Sequence, residues 1–149
     1  MTGALFELSF WLAAPVWALM ILAPAWGPTA RLARSPWTAA PVLLVYLGLV
    51  APVLPELWTV VSGPDLDVFR ELTASANGAG AVWAQVVAWD LLIGQWMYLE
   101  GRRLGLRPLL TGPLLVLTVL TVLLSPFGLM LFLCLRAAVR RRGAAEEVR

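Results

Sequence analysis

Four stretches of this chain, each long enough to cross a bilayer, run almost free of charge: about 4–26, 37–61, 80–100 and 109–136. A helix of roughly 20 residues at ~1.5 Å per residue spans the ~30 Å hydrocarbon core of a membrane. Backbone polar groups in lipid must be satisfied within the segment, so such stretches read as helices. Composition agrees, since 60% of the 149 residues are hydrophobic and only 13% are charged. A soluble domain carries about a quarter charged residues. The expected fold class is all-α: a four-helix transmembrane bundle with short loops, forming one integral membrane domain over 1–149 with a basic tail at 137–149.

The first stretch has the small residues "APA" at 23–25, as before a signal-peptide cleavage site. It carries Glu7, lacks a basic start and is long, so it reads as a retained helix. Pro15, Pro52, Pro55 and Pro126 fall inside the apolar stretches. In a bundle, neighbours can satisfy the carbonyls a proline frees, so kinks are expected, with a break at "SPFG" in the long fourth stretch. Trp26, Trp37, Trp58 and Trp96 lie near stretch ends, as an interfacial belt has them. Trp11, Trp17, Trp83 and Trp89 lie deeper.

The connections read as loops at 27–36, 62–79 and 101–108, with Gly63-Pro64 and "ANGAG" as turn signals in the second. Every base is arginine, 11 against 9 acids. The arginines sit at stretch ends, so they read as topology and headgroup contacts, and no nucleic acid is expected as a partner. Four antiparallel spans put the tail and the second loop on one side with six arginines, and the two short loops on the other with five. That near tie leaves orientation open, with the short loops placed in the cytoplasm of a bacterial inner membrane. Histidine is absent, which excludes His-ligated metals and histidine acid–base chemistry. The lone Cys134 allows no disulfide within the chain. No phosphate loop, metal spacing or nucleophile–base pair is present, and no cofactor is implied. Carboxylates without histidine offer only a weak case for a hard cation.

Asp90 is the group that needs explaining. An ionisable side chain at a helix centre costs roughly 2.5–3.5 kcal/mol on insertion, so it is expected to face the bundle interior or a partner. At helical spacing Asp90 shares a face with Trp83, Gly94 and Met97, while Gln85, Trp89 and Trp96 make a second stripe. Gly94 permits close approach of a helix or ligand. In the expected topology Glu7 and Glu56 lie in the same half of the bilayer as each other, with Asp90 nearer the middle, so the three acids could line one cleft beneath the second loop. The plainer alternatives are that Asp90 serves assembly through hydrogen bonds and that Glu7 and Glu56 are interfacial.

These segments resemble the abscisic-acid-deficient-four family, the neoxanthin synthase-like four-helix membrane proteins of plants, algae and many bacteria. "PVWALMILAPAWGPTARLARS" at 15–35, "WAQVVAWDLLIGQWMYLEGRR" at 83–103 and "LLSPFGLMLFLCLR" at 123–136 carry the resemblance, the second most specifically. It departs from the family in two places: Gln85 stands where the family often has His, and Gln95 where it often has Arg. Plant members are implicated in converting violaxanthin to neoxanthin, an epoxide opening with allene formation. That reaction needs an acid at the epoxide oxygen and a base at a carbon-bound proton. The resemblance thus implies carotenoid or xanthophyll handling by an isomerase-like enzyme or a binding protein. Asp90 and Gln85 are its candidate catalytic residues, and Trp83, Trp89, Gly94 and Glu56 its candidate ligand-binding residues. The expected partners are membrane lipid and a carotenoid. The alternative is a non-catalytic subunit of a larger pigment-binding or respiratory complex. A proton- or ion-conducting unit built on Asp90 lacks a second mid-membrane charge.

Overall fold

A computed structural model describes residues 1–106 and 125–147 of the chain. Among these residues all regular structure is helical. α1 spans Thr2–Leu22 and α2 Gly27–Ala33; a 3-10 turn at Pro36–Ala39 leads into α3, Ala40–Val50. A second 3-10 turn at Ala51–Val53 joins α3 to α4, Leu54–Ser62; α5 is Leu66–Ala74, α6 is Ala76–Arg103 and α7 is Ser125–Glu147.

Two helical stretches among the described residues are long and apolar enough to cross a membrane, Thr2–Leu22 and Pro36–Ser62. Only 28% of each apolar window is buried, so most of that greasy surface faces outward, where a soluble core helix would hide it. α6 covers the third expected span and has the length, but Gln85, Asp90 and Gln95 lower its apolarity. Most of the fourth expected span, 109–136, lies outside the described residues. The same holds for the chain before Ser125, on which the break at Pro126 would be judged. The finding is therefore an all-helical membrane protein with two clear span candidates.

The prolines behave unequally. α1 runs without interruption through Pro15. Pro52 lies in the 3-10 turn between α3 and α4, where its missing N–H donor breaks the α-helical ladder, and Pro55 lies in the first turn of α4, where proline is tolerated. The loops expected at 27–36 and 62–79 hold α2 and α5. α5 begins because Asp65 caps it: its Oδ1 accepts from the Asp67 N–H at 2.9 Å and the Val68 N–H at 3.1 Å. The "ANGAG" glycines, expected to make a turn, are instead the first turns of α6. A β-carbon on Gly78 would run into the Leu72 carbonyl, so this glycine allows α5 and α6 to meet.

Two compact units can be distinguished. The first comprises Met1–Pro15 and Trp37–Trp89. Its core sets Val45, Leu49 and Val50 of α3 against Ala81 and Ala84 of α6. In lipid, packing rather than water exclusion holds helices together, and small residues permit the approach. A β-carbon on Gly80 would already lie 3.2 Å from Leu49. Thr2 donates to the Asn77 Oδ1 at 2.8 Å and Phe6 stacks on Trp83 at 4.9 Å, so the starts of α1 and α6 run in the same direction.

The second unit comprises Val16–Pro36 and Asp90–Arg149. Here Trp96 meets Phe132 and Glu100 meets Arg136. Both contacts step forward by one turn on each helix, so α6 and α7 are parallel. The start of the tail therefore lies beside the C-terminal end of α6. This differs from the expected antiparallel order, which put the tail opposite the short arginine loops. Sequence patterning has no access to the path of a connection, and that path decides direction.

Candidate functional site

Asp90 lies on the inward face of α6 and is 4% exposed. Gly94 and Met97, four and seven residues on, are buried with it, and Gln95 is 4% exposed. A helix of mixed character has buried its carboxylate with its smallest residue and a thioether. That face can hold a proton or a hydrogen bond in apolar surroundings.

Gln85 takes a different direction. It is five residues before Asp90, which places it about 140° away around the helix at roughly 100° per residue. Its residue is exposed, as are Trp89 and Trp96 of the same stripe. The structure thus does not bring Gln85 to the face of Asp90. Within the first unit, Gln85 borders a cavity of about 20 Å³ with Tyr46, Leu57, Leu72 and Gly78. That is room for about one water molecule. A neighbouring cleft of about 270 Å³ is lined by Glu56, Thr59, Glu71 and Ser75, and shares Val53 and Leu72 with the small cavity. Glu56 and Glu7 are both exposed. Trp83 is half-buried against Phe6, and its indole N–H is buried without an acceptor among the described residues.

A polar group with several charged partners in the second unit is Glu100. Arg136 donates through Nε to its Oε1 at 2.7 Å, and Arg140 donates through Nη2 to the same atom at 2.9 Å. Arg103 stands 3.9 Å from Oε2. The Arg136 guanidinium lies 5.7 Å from the Trp96 ring centre. One turn before Arg102, Tyr98 donates its hydroxyl hydrogen to the Pro24 carbonyl at 2.6 Å, and Arg102 donates to that carbonyl and to the Tyr98 hydroxyl oxygen, each at 2.9 Å. These bonds fasten the turn after α1 to the end of α6. Among the described residues no group of three or more acidic or cysteine side chains could hold a metal ion.

The ABA DEFICIENT 4-like family model matches residues 4–132, nearly the whole chain. The chain belongs to the ABA DEFICIENT 4-like family. At the level of the family it is a neoxanthin synthase-like protein, as the motifs at 15–35, 83–103 and 123–136 imply. Family and apolar helices together make it a membrane protein. No curated protein and no solved structure gives a significant match.

Within this ABA DEFICIENT 4-like chain, the expected site residues fall into two sets. Asp90 and Gly94 are buried in the second unit; Trp83, Gln85, Trp89 and Glu56 belong to the first. Glu100 and its arginines were not singled out from sequence. A signal exists: a lone acid closes the third apolar run, and the tail offers Arg136 and Arg140 four residues apart, on one helix face.

Proposed function

We propose that this protein is a multi-pass protein of a bacterial inner membrane, in which α6 also crosses the bilayer, and that it handles a carotenoid or xanthophyll. The observation that carries the reading is the buried Asp90 beside Gly94 on α6, in a chain of a neoxanthin synthase-like family. A buried carboxylate is a costly feature in an apolar helix and marks function by default. In an isomerase-like reaction on a xanthophyll epoxide, Asp90 would serve as the acid at the epoxide oxygen or as the base at the carbon-bound proton. Gln85 cannot titrate, so its part is hydrogen bonding. The buried indole N–H of Trp83 is a further donor for a ligand oxygen. Aromatic side chains bury a large apolar area against a conjugated chain.

One observation favours a second reading, a non-catalytic subunit of a larger pigment-binding or respiratory complex. Gln85, Trp89 and Trp96 face outward on α6, and a polar amide on an outward face suits a protein neighbour better than acyl chains. The test compares carotenoid composition in a carotenoid-producing host expressing wild type, Asp90→Asn or Gln85→His, with the absorption spectrum of each purified protein. Under the enzyme reading, wild type alters the profile, and Asp90→Asn abolishes turnover while pigment still co-purifies. Profiles all identical to the empty host would end the enzyme reading. Stable co-purification with a large complex, without pigment or turnover, would favour the subunit.

A further inference from the structure

We propose that the arginines gathered on Glu100 form a binding site for the phosphate of an anionic phospholipid. Both helices change character at one level. α6 carries no charged side chain between Asp90 and Glu100 and then presents Glu100, Arg102 and Arg103; α7 is apolar from Pro126 to Leu135 and then presents Arg136 and Arg140. Because Glu100 touches Arg136, these two transitions coincide in space. Such a level is where a membrane-spanning helix pair leaves the acyl region for the headgroups.

Among the described side chains the charges there do not balance. Three guanidinium groups, Arg103, Arg136 and Arg140, share the single carboxylate of Glu100, whose side chain is 8% exposed. Glu100 takes one hydrogen bond each from Arg136 and Arg140. Each guanidinium has five N–H donors in a planar fork, so further donors remain on both, as on the more exposed Arg103. Glu100 thus acts as an anchor that holds the forks together at fixed positions. An oxyanion with several acceptor oxygens completes the charge and takes those donors in paired fashion.

Two neighbours identify the oxyanion as part of a lipid. Trp96 lies beneath Arg136 and is exposed, the position at which an indole sits against the glycerol level. Below it, Met130, Leu131 and Leu133 of α7 present exposed apolar surface for acyl chains. A soluble phosphate would have no use for either. The site is independent of pigment handling, so its failure leaves the carotenoid reading untouched, and the reverse also holds.

The experiment is native mass spectrometry on the purified full chain in detergent, titrated with phosphatidylglycerol, with phosphatidylcholine of the same acyl chains, and with inorganic phosphate. Arg103→Gln leaves both short hydrogen bonds to Glu100 in place. Arg103→Gln/Arg140→Gln removes two of the three cations, with a thermal melt to confirm folding. Arg70→Gln, in the other unit, is the control. Phosphatidylglycerol is expected to bind in preference to phosphatidylcholine, with affinity falling about fivefold in the single variant and about 25-fold in the double, at roughly fivefold per arginine near an anionic surface. The control is expected to match wild type. Equal retention of the two lipids, or wild-type affinity for phosphatidylglycerol in both folded variants, overturns the proposal. Inorganic phosphate binding as tightly as phosphatidylglycerol assigns the site to a soluble anion and overturns it equally.

Discussion

Trp96 and Phe132 meet edge to face, with ring centres 5.5 Å apart and planes at 77°. One turn further along each helix, Glu100 and Arg136 form the shortest ion pair among the described residues, at 2.7 Å. Two contacts in the same sense fix α6 and α7 as parallel neighbours.

That direction can be tested by cross-linking. With Cys134→Ser as background, Trp96→Cys paired with Phe132→Cys is expected to join efficiently through a short bismaleimide. Trp96→Cys paired with Arg140→Cys, two turns out of register, is expected to join poorly. A reversed preference, read on a gel after proteolysis between the helices, would rule out the parallel pair.

Glu100→Gln keeps the size of the side chain but removes the charge that holds Arg136, Arg140 and Arg103 together. Hydrogen bonds to charged groups contribute about 1.5–3 kcal/mol, and the partial exposure of the arginines softens the loss. A destabilisation of about 2 kcal/mol is expected, seen as a lower melting temperature in detergent. Arg136→Lys should recover little of the contact, because an ammonium cannot reproduce the Nε geometry with the ring stacking. An unchanged melt in Glu100→Gln would show the cluster to be energetically idle.

Gly78→Ala and Gly48→Ala form a matched pair. A β-carbon at position 78 meets the Leu72 carbonyl, a backbone atom that can yield only if the α5–α6 junction moves. At position 48 nothing lies within 4 Å. The first change is expected to cost at least ~2 kcal/mol, as overpacking does, and the second to be neutral or mildly stabilising. Thermal melts of the two variants side by side give the answer, and equal melts would count against the close approach.

Asp65→Ala removes the cap of α5, a loss worth about 1 kcal/mol. Because α5 is largely exposed, the effect should stay local. Hydrogen exchange is expected to quicken in the peptide covering Asp67 to Arg70 while α6 keeps its protection. Faster exchange throughout the chain would mean that α5 supports the whole first unit.

The sequence made some of this legible and hid the rest for physical reasons. Long uncharged runs require helix, and the cost of a lipid-facing carboxylate requires Asp90 to be covered, as it is. The short helices α2 and α5 were obscured because Gly27, Pro28, Gly63 and Pro64 read as loop, although proline in a first turn and an aspartate cap also start helices. Gly78 resembles a turn residue because local sequence cannot distinguish freedom of φ from lack of a side chain. Helical spacing alone sets Gln85 on a second stripe from Asp90, but it does not tell that this stripe is exposed while Asp90 is buried, because burial depends on which elements pack against α6. The Glu100 cluster depends on which helix returns beside α6, and no local pattern encodes that.

The parallel course of α6 and α7 has an electrical consequence. Arg102, Arg103, Arg136, Arg140 and Arg141 all lie towards the same end of their helices, and the turn leading to Arg31 and Arg34 is bonded to that end through Pro24. Among the described arginines only Arg70 belongs to the other unit. In an energised membrane, negative inside, carrying one elementary charge across costs roughly 2.3 kcal/mol per 100 mV. Wherever the ends of α6 and α7 stand in such a membrane, the arginines gathered there feel that voltage together, as one cluster and not as scattered charges.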